Sequence, residues 1–311
     1  MLEMSSATSA HPHSGRLLLT GASGFVGRAL AMRWKALGGE VVELAHKPRA
    51  DALTWHPERG ELPPQALENI SAVVHLAGET VGQRWSSTAK KSIHDSRVLS
   101  TRLLAERLAA LPVVQRPRVF ICASAIGYYG FERKEVVDET AAPGSGFLAD
   151  LCCAWEAATT PASAAGLRTA FARFGVVLGR SGGALEQLLK VFNMGMAGPA
   201  GPGTQRVSWI SLDDAVEALL LLIERAEARG PVNVVSPHVC TNRELTEMMA
   251  RIINKPAKTP APAFALKLMF GEMATETMLA DLAVKPKRLE EAGFSWRHAT
   301  LEATLRHELS V

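Results

Sequence analysis

Gly21, Gly24 and Gly27 recur at every third position in Thr20-Gly21-Ala22-Ser23-Gly24-Phe25-Val26-Gly27, between the apolar run Arg16-Leu17-Leu18-Leu19 and a helical pattern from Arg28 to Leu37. Glycines so placed let a backbone approach a pyrophosphate, while the free N–H groups and positive end of the following helix hold the anion. A second constellation is Tyr128-Tyr129, the chain's only two tyrosines, in a glycine-flanked turn after a strand. A phenol at a strand's carboxyl end can exchange a proton with a substrate, or one ring can pack beneath a cofactor while the other plugs the turn. A third is Arg84 beside Trp85, and Gln205 with Arg206 before Trp209. Guanidinium forks there suit a phosphorylated or nucleotide-linked small molecule, and the tryptophans serve equally well as core anchors.

The elements that must position these residues alternate. Strand, glycine turn and helix are followed by Gly38-Gly39 and a second strand, Glu40 to Ala45. A polar stretch leads to a buried strand, Ala72 to Gly78, then to a helix from about Thr88 to Leu111 closed by Pro112. The strand Val119 to Ala123 runs into Ser124, Gly146 to Ala165 reads as helix, and Leu167 to Phe174 reads as strand. Beyond Gly179 the pattern loosens into a glycine- and proline-rich substrate-side loop ahead of Val207-Ser208-Trp209-Ile210; a helix from Asp213 to Ala228 and a strand from Val232 to Val235 follow. Alternation of this kind predicts an α/β fold, a doubly wound parallel sheet of Rossmann type with a smaller, mainly helical C-terminal substrate lobe. The expected division is a disordered arm over 1–15, a dinucleotide-binding domain over 16–180 completed by parts of 205–236, and a lobe from 181–204 and 237–311.

Composition narrows the partners. Hydrophobic residues make up 47 % and charged residues 21 % of 311 residues, and the formal net charge is +3. No basic field points to nucleic acid or a membrane surface, and no apolar run is long enough to span a bilayer. Cys122, Cys152, Cys153 and Cys240 form no C-x-x-C pair, which fits a reduced, cytoplasmic compartment. No metal site is expected, since His11 and His13 lack further ligands at useful spacing. Asp150 and Glu156, six residues apart on different helix faces, read as surface or capping residues, and Asp213 and Asp214 as helix caps.

The blocks TGASGFVG, HLAGETVGQRW, SIHDSRVLST, SAIGYYG, GFLADLCCAWE, RFGVVLG and TQRVSWISLDD resemble, in that order, an atypical branch of the extended short-chain dehydrogenase/reductases. That branch is the NAD-dependent epimerase/dehydratase family in its YfcH-like or SulA-like form. The resemblance implies a nicotinamide cofactor held by Gly21, Ser23, Gly24, Phe25, Val26 and Gly27, with Leu76, Ala77 and Gly78 along its adenosine side. It further implies that Arg97 reaches the cofactor, that Ser124 lies near the nicotinamide, and that Val177 walls that ring. Short-chain dehydrogenases carry a Tyr-x-x-x-Lys pair on the helix after the serine strand. Here Leu148 and Cys152 take those places when Glu156 is aligned with the acid that follows the pair, and neither can do that chemistry.

Charge decides the expected cofactor. NAD enzymes commonly place an acid at the end of the second strand, where it binds the ribose 2′-hydroxyl. Ala45 stands there, followed by His46 and Lys47, so NADP(H) is expected over NAD(H). Two functions stay open: an NADP-dependent oxidoreductase or epimerase acting on a sugar-nucleotide-like or other carbonyl or hydroxyl compound, and a non-catalytic NADP(H)-binding regulatory or interaction protein. A monomer and a homodimer are both compatible with the sequence.

Overall fold

Leu17, Leu18 and Leu19 are all fully buried, the first and third in one apolar core and the second in the opposite one. Period-two geometry gives that result for a central parallel strand covered on both faces. The computed structural model describes residues 15–310; the expected N-terminal arm, with His11 and His13, lies outside the described residues except for Gly15. In chain order the elements are β1 (Arg16–Thr20), α1 (Phe25–Ala36), β2 (Glu40–Ala45), β3 (Leu53–Thr54), β4 (Ile70–His75), α2 (Ser87–Ala109), β5 (Phe120–Ala125), α3 (Phe147–Ala157), α4 (Thr160–Ala164), β6 (Thr169–Phe174), β7 (Val176–Gly179), α5 (Gly183–Asn193), β8 (Arg206–Val207), β9 (Trp209–Ser211), α6 (Leu212–Glu224), β10 (Gly230–Val234), β11 (Cys240–Thr241), α7 (Asn242–Ile252), α8 (Ala263–Phe270), α9 (Lys287–Glu291) and α10 (Leu301–Leu309).

Seven parallel strands form one sheet in the order β10-β6-β5-β4-β1-β2-β3. The chain winds outward from β1 to β3, then returns beside β1 and winds the other way, which makes this a doubly wound Rossmann-type sheet. Its switch point lies between β1 and β4, whose carboxyl ends pair Thr20 with His75. Leu30 and Trp34 of α1 and Leu219 and Leu222 of α6 cover one face, while Leu103, Leu104 and Leu108 of α2 with Trp155 of α3 cover the other. A separate core of Leu178, Leu185, Phe192, Trp209, Leu245, Met249 and Leu305 joins β7, β9, α5, α7 and α10.

Three elements depart from the sequence expectation. The helix expected over 146–165 is two, α3 and α4, because Pro161 opens a new helix instead of continuing the old one. The stretch after Gly179 contains α5, whose flanking glycines conceal its apolar face from a reading by composition. The two-residue β3 is held only by pairing to β2 and has no sequence signature of its own. No helix among the described residues is long and apolar enough to cross a membrane, and all four cysteines are free thiols.

Candidate functional site

At the switch point the three glycines have three separate reasons. Gly21 has φ +71°, and a Cβ on it would lie 2.8 Å from the Leu76 carbonyl; one on Gly27 would lie 2.1 Å from the Gly21 oxygen. Gly24 donates its N–H to Gly21 O and is the N-cap of α1 without a side-chain cap, and no acid stands in the helix's first turn. The positive end of α1 is therefore left to an outside anion. Ser23 and Gly24 are exposed, and Val26 packs into the core. The Phe25 ring is enclosed by Gly179, Gly182 and Gly183, where an added Cβ would come within 2.6, 2.6 and 3.2 Å of it. Those glycines leave room for the partly buried Phe25 ring.

Across the switch point, Thr20 Oγ1 accepts the N–H groups of Leu76 (3.2 Å) and Ala77 (3.1 Å) and lies 2.6 Å from His75 Nδ1. With both lone pairs occupied, the threonine hydroxyl donates to Nδ1, so Nε2–H donates to Ser100 Oγ at 3.0 Å. Burial, helped by the charges of Arg97 and His46, pushes the His75 pKa down to about 3, so this imidazole is a neutral strut. Gly78 lies against Arg97, where a Cβ would be 2.9 Å from Cζ. Arg97 donates to Glu79 O and Ile93 O and sits 5.0 Å from the Trp155 ring. Gly21, Leu76, Ala77, Gly78 and Arg97 are thus brought together. His46 and Lys47 are exposed just past β2, with His46 against Trp55 at 5.5 Å. Beside them opens a cavity of about 370 Å³ lined in part by His46, Pro57, Ser92, Ser96 and Leu99.

The carboxyl end of β5 is of a different kind. Ser124 is buried and donates to Glu156 Oε1 at 2.7 Å. Arg173 of β6 holds both oxygens of Glu156 at 2.7 Å, and its Nη1 donates to the Tyr129 hydroxyl at 3.0 Å. That hydroxyl donates to Asn233 Oδ1 at 2.7 Å. Burial alone would lower the Arg173 pKa, but the bonds and charge of Glu156 raise it instead. Burial raises the Tyr129 pKa despite the neighbouring guanidinium.

Tyr129 is fully buried, with its hydroxyl held between Arg173 Nη1 and Asn233 Oδ1. Glu156, expected at the surface, is the hub of this network. Tyr128 remains half-buried, with the Arg173 guanidinium 3.4 Å from its ring centroid and the Tyr129 ring edge-on at 5.3 Å. On α3, Leu148 abuts Gly127, and the Cys152 thiol, pushed up to about 12 chiefly by burial, points to Ala125 O. No proton relay stands at those two places.

The expected substrate contacts are largely internal. Trp209 is buried in the core shared by β7, β9, α5, α7 and α10. Gln205 is buried and bridges Ala200 O and Met278 O. Arg206 grips both Asp281 oxygens and the carbonyls of Arg133 and Lys134. Arg84 donates to Leu268 O and Met269 O at the end of α8, and Trp85 packs edge-on against Phe147 at 4.9 Å. Val177 lies in β7, paired with Ile210. Glu276 accepts the N–H groups of Phe147 and Leu148 at 2.9 Å and so caps α3 from a segment far along the chain. Arg173 carried a readable signal, because a charge inside a strand buried on both faces must have a partner. Glu156 and Glu276 carried none, since their partners are distant in sequence.

A twofold-wound sheet with a bare glycine turn at its switch point defines a dinucleotide-binding α/β protein. The model of the NAD dependent epimerase/dehydratase family matches residues 17–235, and a domain of unknown function, DUF1731, matches residues 261–308; the chain belongs to the NAD-dependent epimerase/dehydratase family. It is 40 % identical over 290 residues to epimerase family protein Mb2239 of Mycobacterium bovis, covering 92 % of this chain and 95 % of that protein. A crystal structure of human epimerase family protein SDR39U1 with NADPH superposes with a TM-score of 0.87 at 31 % identity, covering 95 % of this chain and 99 % of that one. MoeE5 in complex with UDP-glucose and NAD, at 22 % identity and a TM-score of 0.75, covering 95 % of this chain and 98 % of that one, shares the fold.

Proposed function

We propose that this chain is an NADP(H)-dependent oxidoreductase or epimerase acting on a carbonyl or hydroxyl compound, with Tyr128 as its proton-exchanging group. The observation that carries the cofactor reading is the uncapped, acid-free start of α1 facing the β4 end, with His46 and Lys47 and no carboxylate just past β2. These residues fit a dinucleotide: Gly21 and Gly27 leave no room for side chains, the α1 N–H groups take the pyrophosphate, and the two basic residues take a 2′-phosphate. The crystal structure of human SDR39U1 with NADPH supports the same choice. When bound, the nicotinamide supplies hydride exchange with a substrate carbon.

The chain's own residues do the rest. Glu156 and Arg173 lock β5 to β6 and to α3, and the Arg173 charge lies on the ring of Tyr128, where negative charge would develop as the phenolic proton leaves. Ser124 donates a hydrogen bond to Glu156, which ties the β5 end into the same network. Because Arg84 and Arg206 are engaged within the protein, the geometry supports a substrate that is not anchored by a diphosphate clamp.

The test is calorimetric titration with NADPH and NADH, followed by a carbonyl-compound screen with wild type and Tyr128→Phe. The expected result is NADPH bound at least tenfold tighter than NADH, with Tyr128→Phe leaving that affinity intact and abolishing turnover. Full turnover in Tyr128→Phe would reject the catalytic assignment. Tight NADPH binding without turnover of any carbonyl would favour a non-catalytic NADP(H)-binding protein, the reading that Leu148 and Cys152 already support.

A further inference from the structure

Asp213, His298 and His307 are far apart in the chain and converge in space, their ligand atoms all within 4.8 Å of one another. Asp213 Oδ2 lies 3.1 Å from His307 Nε2 and 3.7 Å from His298 Nε2. Tetrahedral zinc with ligands at about 2.0–2.1 Å sets its donor atoms roughly 3.3 Å apart. Among the ion pairs of the described residues, Asp213 meets only these two imidazoles, whereas Glu217, four residues along the same helix, takes both Arg33 and Arg297.

Each donor comes from a separately anchored element. Asp213 stands in the first turn of α6, whose N-cap Ser211 accepts the Asp214 N–H. His298 is held by its backbone: its N–H donates to the fully buried Asp214 at 3.0 Å, and its carbonyl accepts from Thr304 Oγ1 at 3.0 Å. His307 projects from α10, its ring stacked on that of His298 at 4.2 Å. Asp213 and His298 are half-buried and His307 is exposed, so one side of the cluster faces solvent.

We infer that Asp213, His298 and His307 form a binding site for a divalent transition metal, zinc foremost. Two imidazoles and one carboxylate suit zinc, and a fourth position stays open on the exposed side. Glu308 follows His307 on α10. It accepts the Arg180 N–H at 3.0 Å, so it stands between the site and the loop of Gly179, Gly182 and Gly183 around Phe25. A metal here would staple α10 to α6 directly behind that loop.

The experiment is calorimetric titration of the full chain with Zn²⁺ in wild type, His307→Ala, Asp213→Asn and the double variant His11→Ala/His13→Ala, the last excluding the N-terminal histidines. The expected result is one zinc per chain, weakened at least tenfold by His307→Ala or Asp213→Asn and unchanged in the double variant. In parallel, Co²⁺ should give a visible spectrum distinct from the aquo ion in wild type and not in His307→Ala. Zinc affinity unmoved by both site variants, affinity lost in the N-terminal double variant, or an aquo-ion Co²⁺ spectrum in wild type would overturn the site. His307→Ala removes an exposed side chain, so an unchanged circular dichroism spectrum separates loss of ligation from loss of fold.

Discussion

The two carboxyl-end sites of the sheet are built on opposite principles. At the β1–β4 switch point the work falls to backbone: three glycines, an uncapped helix and the N–H groups of residues 76 and 77 tied to Thr20. At the β5–β6 end it falls to side chains, with Ser124, Glu156, Arg173, Tyr129 and Asn233 saturating one another in a buried chain of hydrogen bonds. The first region keeps polar groups unmatched for a ligand to complete. The second has almost none unmatched and forms a rigid network against the Tyr128 ring.

The sharpest way to break this contrast is to unbalance the filled end. Glu156→Gln leaves the Arg173 guanidinium buried without its counter-charge, and breaking such a pair costs about 3–5 kcal/mol. Urea unfolding should show that loss, whereas Glu156→Leu combined with Arg173→Met should recover much of it, since two apolar side chains leave no orphan charge. A single variant as stable as wild type would show that the pair contributes nothing to the folded state.

The open end should respond in binding. Gly27→Ala drives a Cβ onto the Gly21 oxygen at 2.1 Å, and NADPH affinity should fall at least a hundredfold, about 2.7 kcal/mol. Gly82→Ala is the control, since its nearest neighbour would be Thr80 Oγ1 at 3.6 Å. Equal NADPH affinities in the two variants would remove the glycine turn from the site.

The same contrast explains what the sequence disclosed. Gly21, Gly24 and Gly27, the strand leading into them and the Ala45-His46-Lys47 end of β2 act within a few residues, so their spacing was legible. Glu156 reads as a surface residue because helical spacing relates it only to its own helix, while its partner Arg173 lies on β6. Trp209 and Gln205 show the converse: residue types suited to a substrate are drawn into the Leu178–Leu305 core and the Ala200–Met278 bridge. The Asp213, His298 and His307 cluster could not be found by spacing, because no two of its members share an element.

His75, bonded to Thr20 and Ser100 at the open end, supplies a pH test. Its folded pKa of about 3 lies below the ordinary 6.5, so the folded protein binds fewer protons than the unfolded chain between those values. The stability it confers is therefore fully present above pH 6.5 and is lost as pH falls toward 3. Between pH 7 and pH 5 the loss amounts to about 2 kcal/mol. Urea midpoints over that interval should fall in wild type and flatten in His75→Gln. An equal slope in both would assign the titration to other groups.

The smallest expected effect bears most directly on cofactor choice. Lys47 is exposed, so its attraction to a 2′-phosphate is screened, and Lys47→Ala should weaken NADPH by about 1 kcal/mol, roughly fivefold. NADH lacks that phosphate and should bind both proteins equally. His46 sits against Trp55, and its removal alters packing as well as charge, which makes Lys47 the cleaner probe. The informative quantity is the ratio of the two affinities, measured at low and at high salt. A ratio that drops in the variant at low salt and converges on wild type at high salt is the electrostatic signature, whereas a parallel loss of NADPH and NADH would trace the effect to the fold of the β2 end.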